Sequence, residues 1–171
     1  MSYHVLVSYI RDMDTNQPTE GESLMIHLAD AWLTVEKLLN GRLSAIAGIS
    51  VAEYRLLRAI SLSPQGRASR VALAGEVGLT PSAVTRALTP LESRGIVATT
   101  RSERDARQAL AGITDSGIEL LTTATSVVQE TMADIVEGLS FSTTDLGELT
   151  AFLDGVTSAA GRPPRGRVSE R

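Results

Sequence analysis

Residues 80–97 read TPSAVTRALTPLESRGIV, and the order of residue types there defines one helix at both ends. Thr80 stands as N-cap, with a hydroxyl that accepts from an orphan amide. Pro81 follows at the first helical position, where its missing N–H costs nothing and its fixed φ suits a helix. Val84, Leu88 and Leu91 recur at steps of four and three and form an apolar stripe. The helix runs to Arg94, and Gly95 is the stop. Pro90 lies inside it and predicts a kink or a weakened last turn. Ser82, Ala83, Thr85 and Arg86 set short polar side chains and one cation along its first turns.

Working upstream, Ser69 caps a short helix through Leu73, Ala74 and Val77, and Gly78 is placed for the left-handed C-cap conformation. Before that, Ser50 and Glu53 form a capping box, followed by the stripe Tyr54, Leu57 and Ile60; this helix stops near Pro64 and Gly66. A long first helix starts at Glu22, with Leu24, Leu28, Ala31, Trp32, Val35, Leu38 and Leu39 at helical steps, and Gly41 is the expected end. Residues 1–21 show no helical period and read as a flexible arm.

Downstream, Ile96 to Thr99 and Ala109 to Ile113 are strand-like runs flanking the charged segment Arg101 to Arg107, which reads as a hairpin. Thr114 and Asp115 open a long helix carrying Ile118, Leu121, Ala124, Val128, Ile135 and Leu139. Ser142 and Asp145 form a second capping box before Leu146, Leu149, Phe152, Leu153 and Val156. The Pro-, Gly- and Arg-rich tail, residues 161–171, reads as disordered and basic.

The chain has 171 residues, enough for one domain with a real core but not for a second, catalytic one. Apolar residues make up 43% and aromatics only 4%, a balance that favours helices over an aromatic-rich sheet. The absence of Cys removes disulfides, thiolate chemistry and Cys-based metal sites together. With only His4 and His27, no metal site is expected, and no cofactor is implied. No Gly-rich phosphate loop and no Ser and His pairing in a recognisable setting point to an enzyme. No apolar run approaches a spanning helix, so a cytoplasmic protein without a membrane partner is expected.

Net charge is −4, but it is unevenly spread. Residues 67–107 carry seven Arg against Glu76, Glu92, Glu103 and Asp105, whereas residues 108–161 hold eight acids and no Lys or Arg. A compact basic stretch in an acidic chain is what a localised DNA footprint requires, because phosphate contacts supply most sequence-independent affinity. A merely solvated charged face is the alternative.

Two short helices joined by a tight turn, the second beginning with small polar residues and Arg, then a basic hairpin, is the plan of a winged helix-turn-helix. The fold class expected is mainly α with a small β-hairpin wing. The second helix of such a pair enters the major groove, and its first side chains must be short enough for close approach. Thr80, Pro81, Ser82, Ala83, Thr85 and Arg86 occupy that place. Arg86 suits bidentate bonding to guanine O6 and N7 or, equally, a phosphate contact. At the hairpin, Arg101, Arg104 and Arg107 suit the narrow minor groove of an A·T-rich segment, with Asp105 placed to orient a guanidinium; an ordinary surface ion pair is the alternative.

From Ile49 to Leu121 the chain resembles the MarR family of bacterial regulators. The resemblance rests on the Ser-led helix, VALAGEVGL at 71–79, TPSAVTRALTPLESRGIV at 80–97, DAR at 105–107 and ITDSG at 113–117. It implies a winged lobe over 49–113 and a helical dimerisation region over 22–48 and 114–160, with Leu24, Leu28, Trp32, Leu149, Phe152 and Leu153 in the interface of a homodimer. It implies double-stranded DNA as partner, read as a pseudo-palindromic operator, and repression relieved by a small aromatic or phenolic ligand. By position, Ser82, Thr85 and Arg86 match the family's recognition-helix contacts, Arg107 its wing arginine and Asp105 the orienting acid. Two departures stand out: Ala106 replaces a frequent second wing arginine, and Gly112 is expected to interrupt the second wing strand. His27 is named as a candidate ligand contact, against its more ordinary reading as a satisfied surface histidine, and Trp32 reads as interface core. The rival to a DNA-binding regulator is a winged helix that binds protein instead.

Overall fold

The computed structural model describes residues 19–101, 109–139 and 141–161, and of Arg101 the backbone alone. In chain order these residues form α1 (Glu20–Ala47), α2 (Val51–Ser61), a single 3-10 turn (Pro64–Gly66), β1 (Arg67–Ser69), α3 (Arg70–Val77), α4 (Pro81–Ser93), β2 (Val97–Arg101), β3 (Ala109–Ile113), α5 (Asp115–Leu139) and α6 (Thr143–Ala159). They fall into two units, one ending at Val127 within α5 and the other starting at Val128.

The core of the first unit is the meeting of α2, α3 and α4 over the sheet. Leu56, Leu57 and Ile60 of α2, Leu73 of α3 and Val84, Leu88 and Leu91 of α4 are buried completely or nearly so, and Leu43 and Ile49 join them. Burying a Leu- or Val-sized side chain stabilises a fold by about 1.5–3 kcal/mol, so this cluster holds the three short helices together where their lengths alone would not.

The caps lie where the sequence places them. The hydroxyls of Ser50, Ser69, Thr80 and Ser142 accept from the amides of Glu53, Ala72, Ala83 and Asp145, and both capping boxes close. Gly78 takes the left-handed conformation at φ 70°. Four expectations change. The first helix starts at Glu20, capped by Thr19, and passes through Gly41 to end at Gly48, φ 64°. A mid-helix Gly costs about 1 kcal/mol, and the stripe Leu39, Leu43 and Ala47, buried at steps of four, supports the helix beyond it. Pro90 leaves α4 unbroken to Ser93; the missing N–H falls in the last turn, and the amides of Gly95 and Ile96 then close the helix on the carbonyls of Glu92 and Leu91 at 3.0 and 2.9 Å.

The hairpin is part of a three-stranded antiparallel sheet, ordered β1-β3-β2. Strand β1 was not legible because three residues, RAS, carry no alternation. Gly112 does not interrupt β3: it pairs with Arg67 on one side and Ala98 on the other. A Cβ there would stand 3.3 Å from Arg67 Cγ, so the glycine makes room for the arginine stem to lie across the sheet.

Within the second unit, α6 buries none of its residues. Along α5, Ala124, Val127 and Thr131 are buried on one face. No helix among the described residues is long and apolar enough to cross a membrane.

Candidate nucleic-acid interface

Burial of Val84, Leu88 and Leu91 fixes which side of α4 faces the core, and therefore which side faces out. Thr80, Pro81, Ser82, Thr85 and Arg86 are exposed and Ala83 is half-buried. The six residues expected at the start of this helix thus come together on one accessible surface. Thr80 Oγ1 accepts from the Ala83 amide at 3.2 Å and lies 3.1 Å from Ser82 Oγ. Thr85 Oγ1 donates to the Pro81 carbonyl at 3.0 Å, and Thr89 Oγ1 to the Thr85 carbonyl at 2.9 Å. With its proton spent inside the helix, the Thr85 oxygen presents acceptor lone pairs outward. Arg86 has no hydrogen bond or ion pair among the described residues.

Arginines of the basic stretch divide into two sets. Arg70, at the start of α3, pairs with Glu92 of α4 at 2.8 Å and donates to Thr99 Oγ1 of β2 at 3.3 Å, while that threonine hydroxyl donates to the same Glu92 oxygen. This node ties the helix pair to the sheet. Arg94 donates to the Gly48 carbonyl at 3.0 Å. Arg70 is thus neutralised within the lobe by Glu92, whereas Arg94, exposed and bonded to a neutral carbonyl, keeps its charge. Neither contact was readable from sequence, because the partners lie 22, 29 and 46 residues apart and one is a backbone carbonyl. Similarly, Arg55 of α2 donates to the Val77 carbonyl at the end of α3, at 2.8 Å. A cation there meets the negative end of the helix dipole. Arg67, Arg86 and Arg94 are exposed.

Arg104, Asp105 and Arg107 lie outside the described residues, as does the Arg101 side chain; Arg101 closes β2 opposite Ala109. Leu24, Trp32, Leu149, Phe152 and Leu153 are exposed and Leu28 is half-buried, each on its own helix. His27 is exposed, and its Nδ1–H donates to the Ser23 carbonyl at 2.7 Å, the satisfied-histidine arrangement. A surface depression of about 560 Å³ is lined by Asn40, Ser44, Ile49 and Glu53 among others, and His27 is not one of them.

A helix pair joined through a left-handed glycine, whose second member is backed by a small antiparallel sheet, defines a winged helix-turn-helix. Residues 47–108 match the sequence model of the MarR family. The structure is similar to BldR, a transcriptional regulator from Sulfolobus solfataricus, with a TM-score of 0.73 at 29% identity over 82% of this chain and 96% of that one. It is similar to Sco3205, a MarR family transcriptional regulator from Streptomyces coelicolor in complex with DNA, with a TM-score of 0.74 at 24% identity over 83% and 92%. It is also similar in fold to CouR from Rhodococcus jostii RHA1 bound to p-coumaroyl-CoA, with a TM-score of 0.69 at 22% identity over 78% and 90%. No curated protein sequence matches the chain.

Proposed function

We propose that this protein is a sequence-specific DNA-binding transcriptional regulator that acts in the cytoplasm as a homodimer on a pseudo-palindromic operator. The observation that carries the reading is the outer face of α4, where Ser82, Thr85 and Arg86, the last with no partner among the described residues, stand exposed over a fully buried Val84 and Leu88. In the major groove Thr85 Oγ1 accepts from the amino group of adenine or cytosine, and Arg86 bonds guanine or a phosphate. Arg101, Arg104 and Arg107 serve the wing, with Asp105 orienting Arg107. The winged lobe spans 49–113, and 22–48 with 114–160 carry dimerisation. Leu24, Leu28 and Trp32 on α1 and Leu149, Phe152 and Leu153 on α6 supply apolar area for a second copy. A small aromatic or phenolic ligand relieves repression; CouR, similar in fold, is bound to p-coumaroyl-CoA.

The test is binding of the purified protein to a duplex recovered by selection from random DNA, titrated against salt and excess nonspecific competitor. Salt-sensitive binding that survives the competitor is expected, with light scattering giving a dimer. Arg86→Ala weakens binding and relaxes one base position by about 1–3 kcal/mol if the contact is to guanine, and weakens all sequences equally if it is to phosphate. Absence of any preference over competitor overturns the reading in favour of a protein-binding winged helix.

A further inference from the structure

Three residues that follow the recognition helix, Arg94, Gly95 and Ile96, gather bonds from two other helices. Arg94 Nη1 donates to the carbonyl of Gly48, the residue that caps α1 in a left-handed conformation. A guanidinium at a helix C-terminus satisfies an orphan carbonyl and meets the negative end of the dipole. From the other direction comes Thr114, the residue before α5. Its Oγ1 donates to the Gly95 carbonyl at 2.7 Å and accepts from the Gly117 amide at 3.1 Å, and its own amide donates to the Ile96 carbonyl at 3.2 Å. The first turn of α5 lies so close that a Cβ on Gly117 would stand 2.3 Å from the Ile96 oxygen. At the opposite end of α4, the hydroxyls of Thr80 and Ser82 bond within its own first turn.

We infer that the turn 94–96 is the anchor that sets the pose of the recognition helix against the long helix α1, and that Arg94 is the positioning residue of that anchor. It rests on the DNA-binding, dimeric reading above. The helix is 13 residues long, about 20 Å at 1.5 Å per residue, so a tilt of about 5° at the anchored end displaces the base-contacting end by about 2 Å. That displacement exceeds the tolerance of a hydrogen bond. In a dimer joined through α1, Arg94 therefore governs the distance between the two recognition helices, and with it the half-site spacing the protein accepts.

The experiment compares the full chain with Arg94→Gln and Arg94→Lys on selected duplexes whose half-sites are moved by one base pair in either direction. Wild type is expected to lose about tenfold in affinity per shifted base pair, the order of one mismatch. Arg94→Gln keeps its affinity at the selected spacing within about threefold and flattens the spacing profile to a similar factor, because the half-site contacts themselves are intact. Arg94→Lys, which retains one donor for the Gly48 carbonyl, restores most of the wild-type profile. An Arg94→Gln protein that melts like wild type and keeps the wild-type profile overturns the inference. Should Arg94→Gln fail to fold, Thr114→Val, which removes the bond to Gly95 together with the cap on the Gly117 amide, carries the same expectation and the same overturning result. Wild type that binds every spacing alike, or binds no selected duplex, overturns the regulator reading on which the inference stands, so the two failures are told apart by the wild-type measurement alone.

Discussion

Helices α2 and α6 begin with the same device and bury opposite amounts. In α2 the Ser50 amide and hydroxyl donate to Glu53 Oε2 at 2.7 and 2.8 Å, and the Glu53 amide donates back to Ser50 Oγ at 3.2 Å. In α6 the Ser142 amide and hydroxyl donate to Asp145 Oδ2 at 2.8 and 2.7 Å, and the Asp145 amide donates to Ser142 Oγ at 3.2 Å. Yet α2 buries Val51, Leu56, Leu57, Ala59 and Ile60, while Leu149, Phe152, Leu153 and Val156 of α6 are each at least 40% exposed. A capping box satisfies local backbone donors and so follows from four residues of sequence. Burial of an apolar face is a property of what arrives from elsewhere. The exposed face of α6 is therefore the natural place for a second copy in the proposed homodimer.

The comparison breaks most visibly in the core. Leu57→Ala is expected to cost about 2–5 kcal/mol, read as a lowered urea midpoint at every protein concentration. Leu153→Ala on α6 removes a side chain already exposed and is expected to cost under about 1 kcal/mol in dilute protein. Leu153→Asp, by contrast, converts the proposed dimer to monomer in light scattering while the far-UV circular dichroism of the winged lobe persists. Equal losses for the two alanine variants would show that α6 is as deeply packed as α2.

A third helix start sharpens the contrast. Thr114 caps α5 by accepting from the Gly117 amide, but here the cap is fused to tertiary packing, since Gly117 lies against the Ile96 carbonyl. Gly117→Ala is expected to destabilise by about 1–3 kcal/mol through overpacking, despite the better helix propensity of Ala. A stabilised protein in thermal melting would show that the backbone of α5 gives way freely.

These starts and stops explain what could be read from sequence. Thr80 with Pro81, Ser50 with Glu53 and Gly78 carry their structural meaning within a few residues, so the helices of the lobe and the exposed face of α4 were legible. Gly41 reads as a stop because a glycine before a polar residue resembles a C-cap; only the burial of Leu43 and Ala47 decides otherwise. Strand β1, the Arg70 to Glu92 pair and the Arg94 to Gly48 bond are long-range, with no periodicity to announce them. Of the arginines over 67–107, the fold pairs Arg70 with an acid and leaves Arg94 exposed with one bond to a carbonyl.

Among smaller effects, Ser50→Ala is expected to cost about 0.5–2 kcal/mol, because the cap it removes holds a helix in the core. Ser142→Ala removes an equivalent cap from a helix that buries nothing, so its effect is expected as fraying of α6 in hydrogen exchange with no shift in the global urea midpoint. A shift of the global midpoint by Ser142→Ala equal to that of Ser50→Ala would remove the distinction.

Acidification gives the subtlest version of the same contrast. Hydrogen bonds from the Ser142 side chain, and next from its backbone amide, hold the Asp145 carboxyl below its ordinary value against a small opposing effect of burial. Because the folded value is lowered, the helix-start stabilisation from the charged carboxylate is fully present above the ordinary carboxylate range and is lost as pH falls through the folded value. Protonation removes the acceptor charge at a helix N-terminus, where the dipole favours an anion. Asp145 is fully exposed, so the expected readout is local. A ¹³C-detected titration of the Asp145 carboxyl should give a midpoint below that of an unstructured aspartate, and Ser142→Ala should move it upward towards the ordinary value. Amide exchange in the first turn of α6 should quicken over the same pH interval, while that of α2 stays protected until the core itself opens. An Asp145 midpoint that does not respond to Ser142→Ala would show that the box in α6 does not hold in solution, and the likeness between the two helix starts would end there.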